Sequence, residues 1–66
     1  MIGDRVKQAR MRKGWTKVEL AEKTNISRIS IAKIENGETK NMSVETAIAL
    51  ADALEMSLDF LLCGKR

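Results

Sequence analysis

Histidine, proline and tyrosine are absent from this 66-residue chain, which holds one cysteine, one tryptophan and one phenylalanine. Without histidine, no Ser–His or Cys–His nucleophile can form. A single cysteine with no histidine gives no structural zinc set. Cys63 alone excludes an internal disulfide and suits a reducing compartment. No stretch approaches the roughly 20 apolar residues of a membrane span, and no basic-then-apolar export signal opens the chain. A glycine-rich phosphate loop is missing too. We therefore expect no enzyme, no metal, no organic cofactor and a cytoplasmic setting. With so few aromatics, a core must come from Ile, Leu, Val, Ala and Met. The lack of proline, with only four glycines, reads as all helix with no credible strand run.

The length makes residues 1–66 one domain near the small end of what folds unaided, with no room for a ligand pocket. Charge is unevenly placed along it. Residues 1–40 carry ten bases against five acids, whereas residues 41–64 carry four acids and no base. A basic first part suits a phosphate surface, and an acidic second part suits solvent or a partner.

Five helices with short connections account for the pattern, and no linker, repeat or low-complexity segment interrupts them. The first runs from about Ile2 to Lys13, with Ile2, Val6, Ala9 and Arg10 on one face, and Gly14 stops it. Trp15 follows, where an apolar residue can staple the next helix start. Thr16 is the N-cap of a second helix, and Glu19 three residues on completes a capping box. Leu20 and Ala21 form its buried ridge, while Glu19 and Glu22 read as cap and solvated face. Thr24-Asn25 breaks the pattern, because Asn tolerates the left-handed conformation of a tight turn. Ser27 caps a third helix with Ile31 and Ile34 inward, and Asn36-Gly37 ends it. Ser43 caps a fourth helix that turns Val44, Ala47, Leu50, Ala51 and Leu54 inward. Ser57 caps a short fifth, from Leu58 to about Cys63. Residues from about 16 to 36 thus have the layout of a helix-turn-helix, whose second helix reads DNA.

Thr16-x-x-Glu-Leu-Ala, Ile26-Ser, Ile31-x-x-Ile-Glu-Asn-Gly37 and Leu58-Asp-x-Leu-Leu-x-Gly64 resemble the Cro/phage-repressor (Xre-like) DNA-binding family. The resemblance covers about Ile2 to Gly64. It implies an all-α, compact five-helix lambda-repressor-like domain. It further implies a sequence-specific regulator that binds double-stranded DNA as a homodimer across a pseudo-palindromic operator. The chain departs from the family where Lys17 stands for the usual Gln, Asn25 for Gly, Met42 for a frequent Pro and Ala47 for a larger Leu. The missing volume beside Ala47 falls to Trp15 or Met42.

Arg10 is a charge on the buried stripe of the first helix, so a carboxylate should meet it. Glu35 is the candidate, a pairing that the resemblance supports. The alternative is that Arg10 snorkels to a phosphate. On the third helix the outward positions are Arg28, Ile29, Ala32 and Lys33, with Ser27 at the tip. Arg28 can bond guanine O6 and N7 bidentately. Lys33 can reach a guanine or a phosphate, Ser27 a base or the backbone, and Ile29 and Ala32 suit a thymine methyl. The bland alternative leaves Arg28 and Lys33 as solvated charges. Phosphate anchoring falls to Thr16, Lys17, Asn36, Thr39, Lys40 and Asn41, at or near helix N-termini and after Gly37.

Ile48, Met56, Leu58, Phe60 and Leu62 are more apolar side chains than one small interior needs. Ile48, Met56, Leu58 and Phe60 are the candidate dimer surface, with Phe60 and Ile48 expected exposed and Met56, Leu58 and Leu61 also readable as plain core. Repression at the chain's own or a neighbouring promoter is the leading expectation. Activation through Glu19, Glu22 or Glu38 touching RNA polymerase stands beside it. An antitoxin, or another module whose acidic second half engages a protein partner such as a toxin, is the alternative from a different class. A third possibility is the DNA-binding part of a longer ancestor, standing alone.

Overall fold

The computed structural model describes residues 2–39 and 42–63. Five helices follow in order: α1 Ile2–Arg12, α2 Lys17–Thr24, α3 Arg28–Glu35, α4 Val44–Ala53 and α5 Leu58–Cys63. The fold is therefore the all-α five-helix arrangement expected, and no strand forms among the described residues.

Each helix contributes one side chain that is wholly removed from water: Val6, Leu20, Ile31, Leu50 and Leu61. Helices of six to eleven residues are too short to persist alone in water, so this shared burial stabilises all five together. Ala21, Ile34, Ala47, Ala51 and Leu54 complete the core, with Ile2, Ala9, Trp15, Ile26, Met42 and Met56 packed against it. Trp15 and Met42, the side chains expected to make up for the small Ala47, both lie in that second set.

Local chemistry sets the helix ends. α1 stops one residue before Lys13, whose N–H still bonds the Ala9 and Arg10 carbonyls, and Gly14 turns the chain at φ +73°. Gly3 lets α1 approach the end of α3 closely. A β-carbon there would stand 2.5 Å from the Ile34 carbonyl oxygen and 2.7 Å from that of Glu35. At the far end, Arg5 donates from Nε to the Leu61 carbonyl (3.0 Å) and from Nη2 to the Leu62 carbonyl (3.2 Å). Both carbonyls belong to α5, so one side chain of α1 ties the first helix to the last.

Val44, expected in the core, turns outward at 69% exposure, and Leu58, a dimer-surface candidate also readable as core, is exposed. Both are the first residue of their helix. Periodicity identifies a side of a helix, but not where its first turn projects beyond its neighbours. Phe60, expected exposed, is half-buried. Ile48 is exposed and Leu61 buried, as expected, while Met56, readable as core or dimer surface, is half-buried.

Candidate nucleic-acid interface

α2 begins with a closed capping box. Thr16 Oγ1 accepts the Glu19 N–H at 3.1 Å, and Glu19 Oε1 accepts the Thr16 N–H at 2.9 Å. Two otherwise unpaired backbone donors are satisfied reciprocally. The turn to α3 is made by Asn25 at φ 60°. Thr24 Oγ1 donates to the Leu20 carbonyl at 2.8 Å and accepts the Ile26 N–H at 3.3 Å. Ile26, half-buried against the core, pins the far side of the turn.

Ser27 caps α3 by accepting the Ser30 N–H at 3.1 Å, and its hydroxyl also lies 2.9 Å from Ser30 Oγ. Its capping role and its expected role at a base edge thus compete within the first turn. Ser30, exposed and coupled to that hydroxyl, is not among the residues expected at this surface. Its place in the first turn of α3 was the available signal.

Arg28, Ile29 and Lys33 are exposed, and Ala32 is half-buried beside them. Ile29, at 70% exposure, is a large aliphatic group that the core leaves in water. Lys17, Arg28 and Lys33 have no ion-pair partner among the described residues. Three cations without internal neutralisation are therefore available on α2 and α3. Thr16, Asn36 and Thr39 are exposed as well, while Lys40 and Asn41 lie outside the described residues. Asn36 Nδ2 stands 3.4 Å from Glu38 Oε2, which puts a carboxylate beside an expected phosphate contact.

The end of α3 is closed by a Schellman pair. The Glu38 N–H bonds the Lys33 carbonyl (2.9 Å) and the Gly37 N–H bonds that of Ile34 (3.1 Å), with Gly37 at φ 77°. Arg10 and Glu35 meet just inside this end, each 8% exposed. Arg10 Nε donates to Glu35 Oε2 at 2.8 Å and Nη2 to Oε1 at 3.1 Å, a two-pronged pair. Nη1 donates to the Trp15 carbonyl at 2.8 Å. One guanidinium thereby joins α1, the lead-in to α2 and the end of α3. The hydrogen bond to Glu35 outweighs burial and raises the pKa of Arg10 above its usual value.

On the other side of α1, Lys13 bonds Glu55 across the α4–α5 turn, and the ammoniums of Lys23 and Lys13 lie 4.8 Å and 5.8 Å from the Trp15 ring centroid. Lys13 holds the Glu55 carboxyl below the usual carboxylate range. A groove of about 520 Å³, open to solvent, runs there between Ala9 and Lys13 of the first helix region and Leu54, Met56 and Phe60. That is more concave space than the chain's length suggested.

A family model described as "Helix-turn-helix" matches residues 6–61. The HTH-type transcriptional regulator SinR of Bacillus subtilis (strain 168) is 36% identical over 65 residues, which are 98% of this chain and 59% of SinR. The structure of SinR, master regulator for biofilm formation, in complex with DNA superposes with a TM-score of 0.89 at 35% identity, covering 94% of this chain and 98% of that one. The P22 c2 repressor in complex with a synthetic operator superposes with a TM-score of 0.91 at 29% identity, covering 98% and 97%. This chain spans well under two thirds of the full length of SinR. The capped α2–turn–α3 unit, the buried Arg10–Glu35 pair and these likenesses lead to one conclusion: the chain belongs to the helix-turn-helix family of Xre/Cro-like transcriptional regulators.

Proposed function

We propose that this chain binds double-stranded DNA sequence-specifically as a transcriptional repressor, a homodimer on a pseudo-palindromic operator in the cytoplasm, where it blocks RNA polymerase. The observation that carries the reading is the outward face of α3, where Arg28 and Lys33 stand unpaired around the exposed Ile29. Solved relatives of the same fold are bound to DNA, which supports it. In this reading Arg28 bonds a guanine, Ile29 and Ala32 pack on thymine methyls, and Lys33 takes a base or a phosphate. Ser27 adds a base contact at the tip. Thr16, Lys17, Asn36 and Thr39, with Lys40 and Asn41, hold the backbone and set the register.

One small module buries limited surface on DNA, so specificity calls for two copies. Their contact is assigned to the C-terminal helices, through Met56 and Phe60 at the groove and Leu58 at the start of α5, while Ile48, expected to join them, is left out because it lies on α4 and does not line that groove. Half-sites then lie about 34 Å apart, one helical turn.

Selection from random duplexes, followed by anisotropy titration at several salt concentrations, tests this. The expected result is an enriched pseudo-palindrome whose affinity Arg28→Ala lowers by about 1–3 kcal/mol. Weak binding indifferent to sequence would overturn the proposal.

A further inference from the structure

Among the described residues seven large apolar side chains are exposed, and they fall into groups. Val18 and Ile29 lie on the helix-turn-helix, and Met11 stands by itself on α1. The other four are Val44 and Ile48 on α4 and Leu58 and Leu62 on α5. Within each helix the two are four residues apart, so each helix shows water an aliphatic pair one turn long.

Val44 and Ile48 are 69% and 51% exposed. Beside their stripe, seven residues apart and thus on one side of the same helix, stand Glu45 and Asp52. Asp59 flanks the Leu58–Leu62 pair in the same way. Glu55 is taken up by Lys13, but Glu45, Asp52 and Asp59 have no ion-pair partner among the described residues. No base lies between residues 41 and 64 to offset them.

We infer that the outer face of α4 is a docking surface for a basic amphipathic helix of a second protein. Its aliphatic residues, one turn apart, would lie along Val44 and Ile48, and its Lys or Arg side chains would meet Glu45 and Asp52. Charge selects this occupant. A second copy seated on the same face by two-fold symmetry would bring Glu45 and Asp52 against their own counterparts, with no base on α4 or α5 to neutralise them. Nucleic acid is repelled by the same carboxylates. The surface lies on a helix apart from α2 and α3, so its occupant does not depend on the DNA proposal.

The test uses a fluorescein-labelled 14-residue model peptide of leucine and lysine in helical alternation, titrated into the chain by anisotropy, with amide shifts recorded by NMR. Shifts are expected along residues 44–52. Val44→Ser with Ile48→Ser, and separately Glu45→Gln with Asp52→Asn, should each raise Kd by about tenfold. All four side chains are exposed, and circular dichroism checks that both variants keep the fold. A leucine–glutamate peptide of the same pattern should not bind. The inference is overturned if the basic peptide fails to bind, if its shifts fall on α1–α3, or if both variants bind it unchanged. A fall in self-association of the Val44→Ser/Ile48→Ser variant on sedimentation would also overturn it, because a second copy would then be the occupant.

Discussion

The two parts of the chain share the core equally but treat charge in opposite ways. Val6, Leu20, Ala21, Ile31 and Ile34 come from α1–α3, and Ala47, Leu50, Ala51, Leu54 and Leu61 from α4–α5. Among the described residues, only the first part also buries ions, Arg10 and Glu35. Lys17, Arg28 and Lys33 on α2 and α3 are exposed without an ion pair among the described residues, whereas α4 and α5 carry only acids and show four exposed aliphatics. Burial of apolar area is non-directional and can hold five helices together without fixing their angles. A bidentate ion pair is directional. Its location in the half with the helix-turn-helix indicates that orientation of α3, rather than stability alone, is what it secures. The second half then serves as the apolar counterweight, and its outer surface is free for other contacts.

Removing one partner of the buried pair should break this comparison most severely. Glu35→Ala leaves a guanidinium buried without its carboxylate and should cost about 3–5 kcal/mol by urea denaturation. Glu45→Ala, on the exposed face of α4, should stay within about 0.5 kcal/mol. Replacing both members with Arg10→Met and Glu35→Leu should recover much of the lost stability. If Glu35→Ala and Glu45→Ala cost the same, the halves do not differ in the way described.

Next in size is Gly3→Ala. The added methyl would meet the Ile34 and Glu35 carbonyl oxygens, which are backbone and cannot rotate away. A loss of about 1–3 kcal/mol is expected, with amide shifts at residues 33–36 as α1 backs off from α3. An unchanged melting temperature would show that the two helices do not abut so closely.

Capping sharpens the comparison on a smaller scale. Thr16→Ala removes one arm of a capping box and Ser43→Ala a single cap, since the Thr46 N–H bonds Ser43 Oγ at 3.1 Å. Each should cost about 1 kcal/mol, the first at the upper end. Smallest is the Lys13–Glu55 contact between the halves. The folded-state pKa of Glu55 is depressed, so its contribution is present above the unfolded value and fades as pH falls through the folded one. NMR titration should place the Glu55 midpoint below the ordinary carboxylate range, and Lys13→Ala should return it upward.

Much of this was legible because it is local. The hydroxyls of Thr16, Ser27, Ser43 and Ser57 each accept the N–H three residues on, as their placement before apolar periodic runs implied. Asn25 takes the left-handed turn for the same reason. A charge on a buried stripe called for a partner, and Glu35 meets Arg10 there. What escaped is long-range. Arg5 reaches Leu61 and Leu62 at a separation of more than fifty residues, and no periodicity encodes that. The close approach at Gly3 and the Lys13–Glu55 bond are of the same kind. Val44 escaped because helix ends outrun their neighbours. At the candidate interface, the outward face of α3 follows from Ile31 and Ile34 pointing in. The Ser27–Ser30 coupling and the carboxylate of Glu38 beside Asn36 depend on side-chain rotamers that no periodicity encodes.

The most direct test of the division between the halves is an amide-shift titration of the chain with the duplex that selection enriches. The account predicts shifts at residues 16–18, 27–33 and 36–39, with the outer face of α4 unmoved. Shifts concentrated at residues 44–52, with α3 silent, would contradict it.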